Sequence, residues 1–144
     1  ELRDELLFKQ PESNHHGDCP ICFIPLPHPM KYVVQTCCSK VVCYGCSYAN
    51  RMRDEEAARV LSCPFCRTPV PDTDKECKRN TMKRIEANDP LSMRQEGIRQ
   101  FDKGDYSSAF EYYTRAAELG DVDAQYELAR LYQFGKGVEK DGGK

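Results

Sequence analysis

The hydrophobic pattern changes character along the chain. At the start, Leu2, Leu6 and Leu7 would share one face of a short helix, but Pro11, Asn14 and Gly17 stop it, so residues 1–17 read as a flexible, frayed N-terminal tail. Between residues 18 and 71 the apolar residues come in short runs broken by prolines. Lys31 to Gln35 and Lys40 to Val42 predict brief β segments, and the stretch from about Ser47 to Val60 predicts one helix. Residues 72–88 predict a polar helical linker. Thr73 and Glu76 have the spacing of a capping box, Met82 and Ile85 can pack on one face, and Lys75, Lys78, Arg79, Lys83 and Arg84 cover much of the rest. From residue 89 on, small residues and aromatics recur at helical spacing, which places a domain boundary near Asn88.

Residues 18–71 carry too little apolar side chain for a conventional core, and composition supplies what the pattern lacks. The chain of 144 residues holds nine cysteines, eight of them in this stretch. Disulfide frameworks suit short secreted chains with a signal peptide and an even cysteine count. Here the count is odd, no secretion signal is visible and most cysteines come as C-x-x-C pairs, which points to metal in a reducing compartment, cytoplasmic or nuclear. No apolar run approaches the roughly 20 residues that cross a bilayer. The chain begins with Glu1 and stops after what reads as the first helix of a second repeat, so a fragment of a longer array is expected. A net charge of −2 and the lack of clustered basic and aromatic residues argue against nucleic acid as a partner. The basic face of the linker helix reads as a solvated surface diluted by nearby acids.

The cysteines run Cys19-Pro20-Ile21-Cys22, Cys37-Cys38, Cys43-Tyr44-Gly45-Cys46 and Cys63-Pro64-Phe65-Cys66. A C-x-x-C turn lets two thiolates converge on one tetrahedral zinc, and eight ligands complete two closed, structural sites with no position open to activate water. On residues alone, Cys37 and Cys38 either both bind, or one is replaced by His28 or water. Cys77 lies outside the pattern and reads as a free thiol, and His15 and His16 read as solvated.

This spacing resembles the all-cysteine variety of RING finger over residues 19 to 69, apart from the adjacent middle pair. The resemblance implies a small zinc-stabilised α+β cross-brace. Its first zinc would take Cys19, Cys22, Cys43 and Cys46, and its second Cys37, Cys38, Cys63 and Cys66. The rival is sequential pairing, as in tandem zinc ribbons. It further implies that the module recruits a ubiquitin-conjugating enzyme and owns no nucleophile, holding the charged thioester in a reactive arrangement. By the same resemblance Ile21 and Pro64 fall at docking positions, and Arg67 at the place of the linchpin arginine that bridges the conjugating enzyme and ubiquitin. The family often has a large apolar residue where this chain has Asn50, a departure for which Tyr48 would have to compensate.

The second module, residues 89–144, spaces Gly97, Phe101, Gly104, Tyr106, Ala109, Tyr113 and Ala116 as two helices joined at a turn, and Ala129 echoes Gly97. With Ala116-Ala117-Glu118-Leu119-Gly120 and the Gly135-Lys136-Gly137-Val138 stretch, it resembles tetratricopeptide and Sel-one-like repeats, the second incomplete. That implies an all-α helical-hairpin solenoid that binds protein substrates or complex partners. The two modules together suggest a RING-type ubiquitin-protein ligase, and the alternative is a non-catalytic zinc-finger and helical-repeat adaptor.

Overall fold

The computed structural model describes residues 16–26 and 31–137. Residues 1–15 of the N-terminal tail, His15 among them, and His28 lie outside them. The last two tail residues are described and are not solvated ends: His16 is partly buried with its ring 6.1 Å from that of Tyr32, and Gly17 O accepts the Leu26 N–H at 2.9 Å. The chain divides into two compact units, one up to Asp72 and one from Thr73 on.

Three tight turns build the first unit, and all share one backbone design. In the first, Cys19 N–H donates to Ile24 O and Phe23 N–H to Cys19 O, both at 2.9 Å. In the last, Cys63 N–H donates to Thr68 O at 2.8 Å and Arg67 N–H to Cys63 O at 3.0 Å. In the middle turn, Gln35 N–H donates to Lys40 O at 2.9 Å and Ser39 N–H to Gln35 O at 2.7 Å. In each, the residue after the last cysteine takes a left-handed conformation: Phe23 at φ 59°, Ser39 at φ 56° and Arg67 at φ 64°. The middle turn connects β1 (Tyr32–Val34) to β2 (Val41–Cys43), an antiparallel pair with Val33 opposite Val42. Helix α1 (Tyr44–Glu56) follows directly.

The predicted strands are found, shifted by a residue at some ends. The helix begins three residues earlier than its predicted start, because Cys43 caps it: its sulfur accepts the Cys46 N–H at 3.4 Å. It stops at Glu56, and Ala58 turns to a positive φ. The unit's small core is Cys19, Leu26 and Val42, too little apolar surface to stabilise a fold of this size unaided.

The second unit is all helix: α2 (Asp74–Glu86), α3 (Pro90–Asp102), α4 (Tyr106–Glu118) and α5 (Val122–Phe134). Thr73 caps α2, its hydroxyl accepting from Glu76 N–H at 3.2 Å. The next three helices are capped by Asp89, Asp105 and Asp121, evenly spaced in sequence, each carboxylate accepting a backbone N–H of the first turn. Helix α2 does not stand as a free linker. Its Ile85 is buried with Met93, Ala116 and Ala124, and Met82 packs against them. A second cluster joins Ala109, Tyr113 and Leu131.

Gly97 on α3 lies against the Tyr113 ring of α4. A methyl group there would meet the buried Tyr113 ring at 2.6 and 2.7 Å. Gly97→Ala is therefore expected to destabilise the helical unit by about 1–3 kcal/mol, the usual cost of overpacking a core, with the helix-propensity gain recovering only a fraction. Urea unfolding followed by far-ultraviolet circular dichroism measures it; an unchanged midpoint would mean that the ring gives way freely. Ala129, one repeat on, is exposed, since no later helix covers it among the described residues.

Candidate metal centres

The turns bring the eight cysteine sulfurs into two groups of four. Cys19, Cys22, Cys43 and Cys46 form one, and Cys37, Cys38, Cys63 and Cys66 the other, with the sulfurs of each group within 4.8 Å of one another. The groups interleave along the chain: the first and third pairs converge, and so do the second and fourth. None of these cysteines is in a disulfide.

The fit to zinc can be tested on distances. A zinc–sulfur bond of about 2.3 Å in a tetrahedron sets the sulfur–sulfur edge at about 3.8 Å. Cys22 and Cys43 lie 3.8 Å apart, Cys38 and Cys63 3.9 Å, and Cys37 and Cys66 3.4 Å. A disulfide would need about 2.05 Å. Four sulfurs at tetrahedral spacing are what a closed zinc site requires, and thiolate ligands suit a soft, redox-silent ion.

The adjacent pair reaches one cluster because of the middle turn. In that turn Gln35 stands where Cys19 stands in the first and Cys63 in the last. Cys38 then takes the place of the second cysteine, and Cys37 the place of Ile21 or Phe65. Both sulfurs meet Cys63 and Cys66.

Charge gives the same reading. Burial raises the Cys19 thiol, but hydrogen bonds from the backbone of Cys22, Cys43 and Ile21 outweigh it and bring it down to about 6. In the other cluster burial raises Cys66, and Thr68, with its hydroxyl 3.2 Å from the sulfur, outweighs it and brings the thiol to about 6. Cys46 and Cys37 go the other way. Burial raises each, and the neighbouring sulfurs, Cys43 first for Cys46 and Cys66 first for Cys37, raise them further. In each cluster one thiol is thus held down and another held up, because neighbouring thiolates repel. A divalent cation at the centre removes that repulsion.

The expected docking residues are placed as follows. Ile21 is exposed on the first turn. Pro64, on the last turn, borders a recess of about 310 Å³ with Val33, Ser47, Asn50, Leu61 and Val70. Ile21 does not line that recess. Tyr48 is exposed, with the Arg51 guanidinium over its ring at 5.5 Å.

Arg67 is half-exposed but not loose. Its Nη1 donates to Asn50 Oδ1 at 2.8 Å, and its Nη2 lies 3.7 Å from Asp54 Oδ1. Asp54 is fully buried and accepts from the Ser62 hydroxyl at 2.8 Å and the Ser62 N–H at 3.1 Å. Those bonds, Ser62 first, hold its carboxyl below the ordinary carboxylate range. A depressed pKa means that its contribution to stability is present at neutral pH and is lost as pH falls through the folded-state value. Sequence reasoning missed Asp54 and Ser62, and took Asn50 only as a lost apolar contact. The available signal was the helical spacing of Asn50, Arg53 and Asp54, which puts an amide, a guanidinium and a carboxylate on one face.

Comparison with known proteins gives partial matches of two kinds. The Sel1 repeat family model matches residues 92–121 and 122–144. These spans take in most of α3, then α4 and α5, so Sel1 repeats cover that part of the helical unit and α2 lies outside the match. The chain is also 39% identical over 59 residues to the E3 ubiquitin-protein ligase DA2 of Arabidopsis thaliana, covering 40% of this chain and 14% of that protein. It is 38% identical over 52 residues to the E3 ubiquitin-protein ligase GW2 of Oryza sativa subsp. indica, covering 36% of this chain and 11% of that protein. The chain thus spans only a small part of the relatives it matches. No solved structure matches it. Among the described residues, no helix is long and apolar enough to cross a membrane.

Proposed function

We propose that this chain is a RING-type ubiquitin-protein ligase, with two structural zinc ions in its first unit and Sel1 repeats that engage substrates or complex partners in its second. The interleaving of the two four-cysteine clusters carries the reading, because sequential zinc ribbons would pair neighbouring cysteines instead. The relatives named as ubiquitin ligases support it.

On this reading Cys19, Cys22, Cys43 and Cys46 hold one zinc, and Cys37, Cys38, Cys63 and Cys66 the other. Bound zinc supplies rigidity, not water activation, since both shells are closed by protein sulfur. The conjugating enzyme docks on Ile21 and along the recess beside Pro64. Arg67 then donates to acceptors on both the enzyme and its ubiquitin, a task suited to a planar group with five N–H donors. Transfer to lysine accelerates because the thioester is held in one reactive arrangement.

The test is discharge of ubiquitin from a charged conjugating enzyme onto free lysine, run over a panel of such enzymes. Wild type is expected to stimulate discharge. Arg67→Ala is expected to cut that stimulation at least tenfold, as removal of one charge-assisted hydrogen bond worth about 1.5–3 kcal/mol would do. No stimulation with any enzyme, alongside retained zinc, would favour the second reading, a non-catalytic adaptor. The observation on its side is the polar Asn50 in the recess where an apolar docking residue would bind more tightly.

A further inference from the structure

Asn50 makes more contacts than its place on an exposed recess requires. Its Oδ1 accepts from Arg67 Nη1 at 2.8 Å and from Arg53 Nη2 at 2.6 Å. Its Nδ2 donates to Ser62 O at 2.7 Å and lies 3.4 Å from Asp54 Oδ2. The amide therefore has one possible orientation, because two guanidinium donors must face its oxygen and a carbonyl must face its nitrogen. Ser62 is in turn fixed to the buried Asp54 through both its hydroxyl and its N–H. The network ties α1 to the turn that carries Cys63 and Cys66.

The backbone restricts Arg67 from the other side. The closing hydrogen bond to Cys63 O and the left-handed φ of 64° fix where its side chain departs. A long arginine side chain leaving an exposed turn ordinarily samples many rotamers, and ordering it costs side-chain entropy. Here Asn50 and Asp54 engage both terminal nitrogens, while the Nε–H has no acceptor among the described residues.

We propose that Asn50 is a positioning residue for Arg67: it holds the guanidinium in one orientation before the charged conjugating enzyme arrives, so that the ordering cost is met in the free protein. An apolar residue at this position would gain docking surface but release the arginine, leaving only the 3.7 Å approach to Asp54. This inference rests on the ligase reading for its consequence, but not for the restraint itself.

Two measurements separate these. The first is ¹⁵N relaxation of the Arg67 side chain in the full, zinc-loaded chain, which needs no partner. Wild type is expected to show an ordered Nε–H, and Asn50→Ala to lose that order with zinc content unchanged. Equal order in the two proteins would overturn the restraint.

The second is lysine discharge at saturating conjugating enzyme. Asn50→Ala and Asn50→Leu are expected to lower the saturated rate roughly tenfold, and Asn50→Leu to do so with affinity for the enzyme raised. Adding Arg67→Ala to either should cost little more, because both changes remove one interaction. Additive losses, or an Asn50→Ala rate equal to wild type, would overturn the positioning role.

Arg53→Ala guards against a folding defect: that half-exposed side chain shares the Asn50 Oδ1 acceptor and lies 3.3 Å from Asp54 Oδ1, so its loss takes one cation from the network and leaves the Asn50–Arg67 bond in place. It is expected to leave the rate within about twofold, and a loss as large as that of Asn50→Ala would also overturn the proposal. Absence of discharge by wild type would defeat the ligase reading and Asn50's part in transfer, and the relaxation measurement would still decide the restraint.

Discussion

Cys63→Ser is expected to unfold the first unit outright and to leave the helices of the second intact. Cys63 is buried, and its sulfur lies 3.9 Å from that of Cys38 in the second cluster. A structural zinc site contributes about 10–16 kcal/mol of apparent binding free energy, whereas a whole domain is stable by only about 5–15 kcal/mol. Loss of one ligand therefore removes an amount comparable to everything the unit has. Among the described residues the buried cluster of Cys19, Leu26 and Val42 cannot make up the difference. Elemental analysis should show zinc falling from two equivalents, one per cluster, to one or none. The amide signals of residues 31–71 should collapse while those of α3 to α5 persist. A strong chelator should act in the same way on wild type, and acid should assist it, because protons compete with zinc for the thiolates. Cys77→Ser, outside both clusters, serves as the control. A fully folded first unit in metal-free Cys63→Ser protein would remove the basis for zinc and for everything inferred from it.

Arg94→Ala is expected to destabilise the second unit by about 3 kcal/mol, the lower end of the cost of breaking a buried ion pair by removing one partner. Arg94 lies on α3, is 8% exposed, and meets Asp121 at 3.1 Å and Asp123 at 3.4 Å. Asp121 also caps α5, accepting the Ala124 N–H at 2.8 Å. The arginine thus ties the first helix of one repeat to the start of the next, and its loss takes the guanidinium away from both carboxylates. The lower end applies because Asp123 retains some access to water. Arg94→Lys should recover only part of the loss, since a point charge cannot engage both carboxylates in the fork geometry of a guanidinium. Urea denaturation of the zinc-loaded protein, read in the helical signal, gives the difference. An unchanged midpoint would show that the two repeats are held by apolar packing alone.

Much of the architecture was legible because it is written in short-range spacing. C-x-x-C pairs with an odd cysteine count and no visible secretion signal point to metal, since two thiolates so spaced can converge on one ion. The small residues at Gly97, Ala109 and Ala116 and the turn at Gly104 imply helices in close contact, which the matched Sel1 repeats contain. The Thr73 cap was equally readable, being a contact across three residues. Errors fell at boundaries. Helix α1 starts at Tyr44 because a cysteine sulfur caps it, a role outside the usual set of Ser, Thr, Asp and Asn.

The sequence by itself determined that its C-x-x-C sulfurs could converge in clusters and that the second half would be paired helices, because cysteine spacing and periodicity are local properties of the chain. Only the tertiary structure decided how Cys37 and Cys38 share a cluster, that α2 packs with the repeats, and that Asn50, Asp54 and Ser62 restrain Arg67. The same holds for Arg94 and its partner Asp121, far along the chain. Polar contacts of this kind leave no periodic trace, since any exposed helix carries arginines, asparagines and carboxylates. Which of them meet is set by where the turns bring their backbones together.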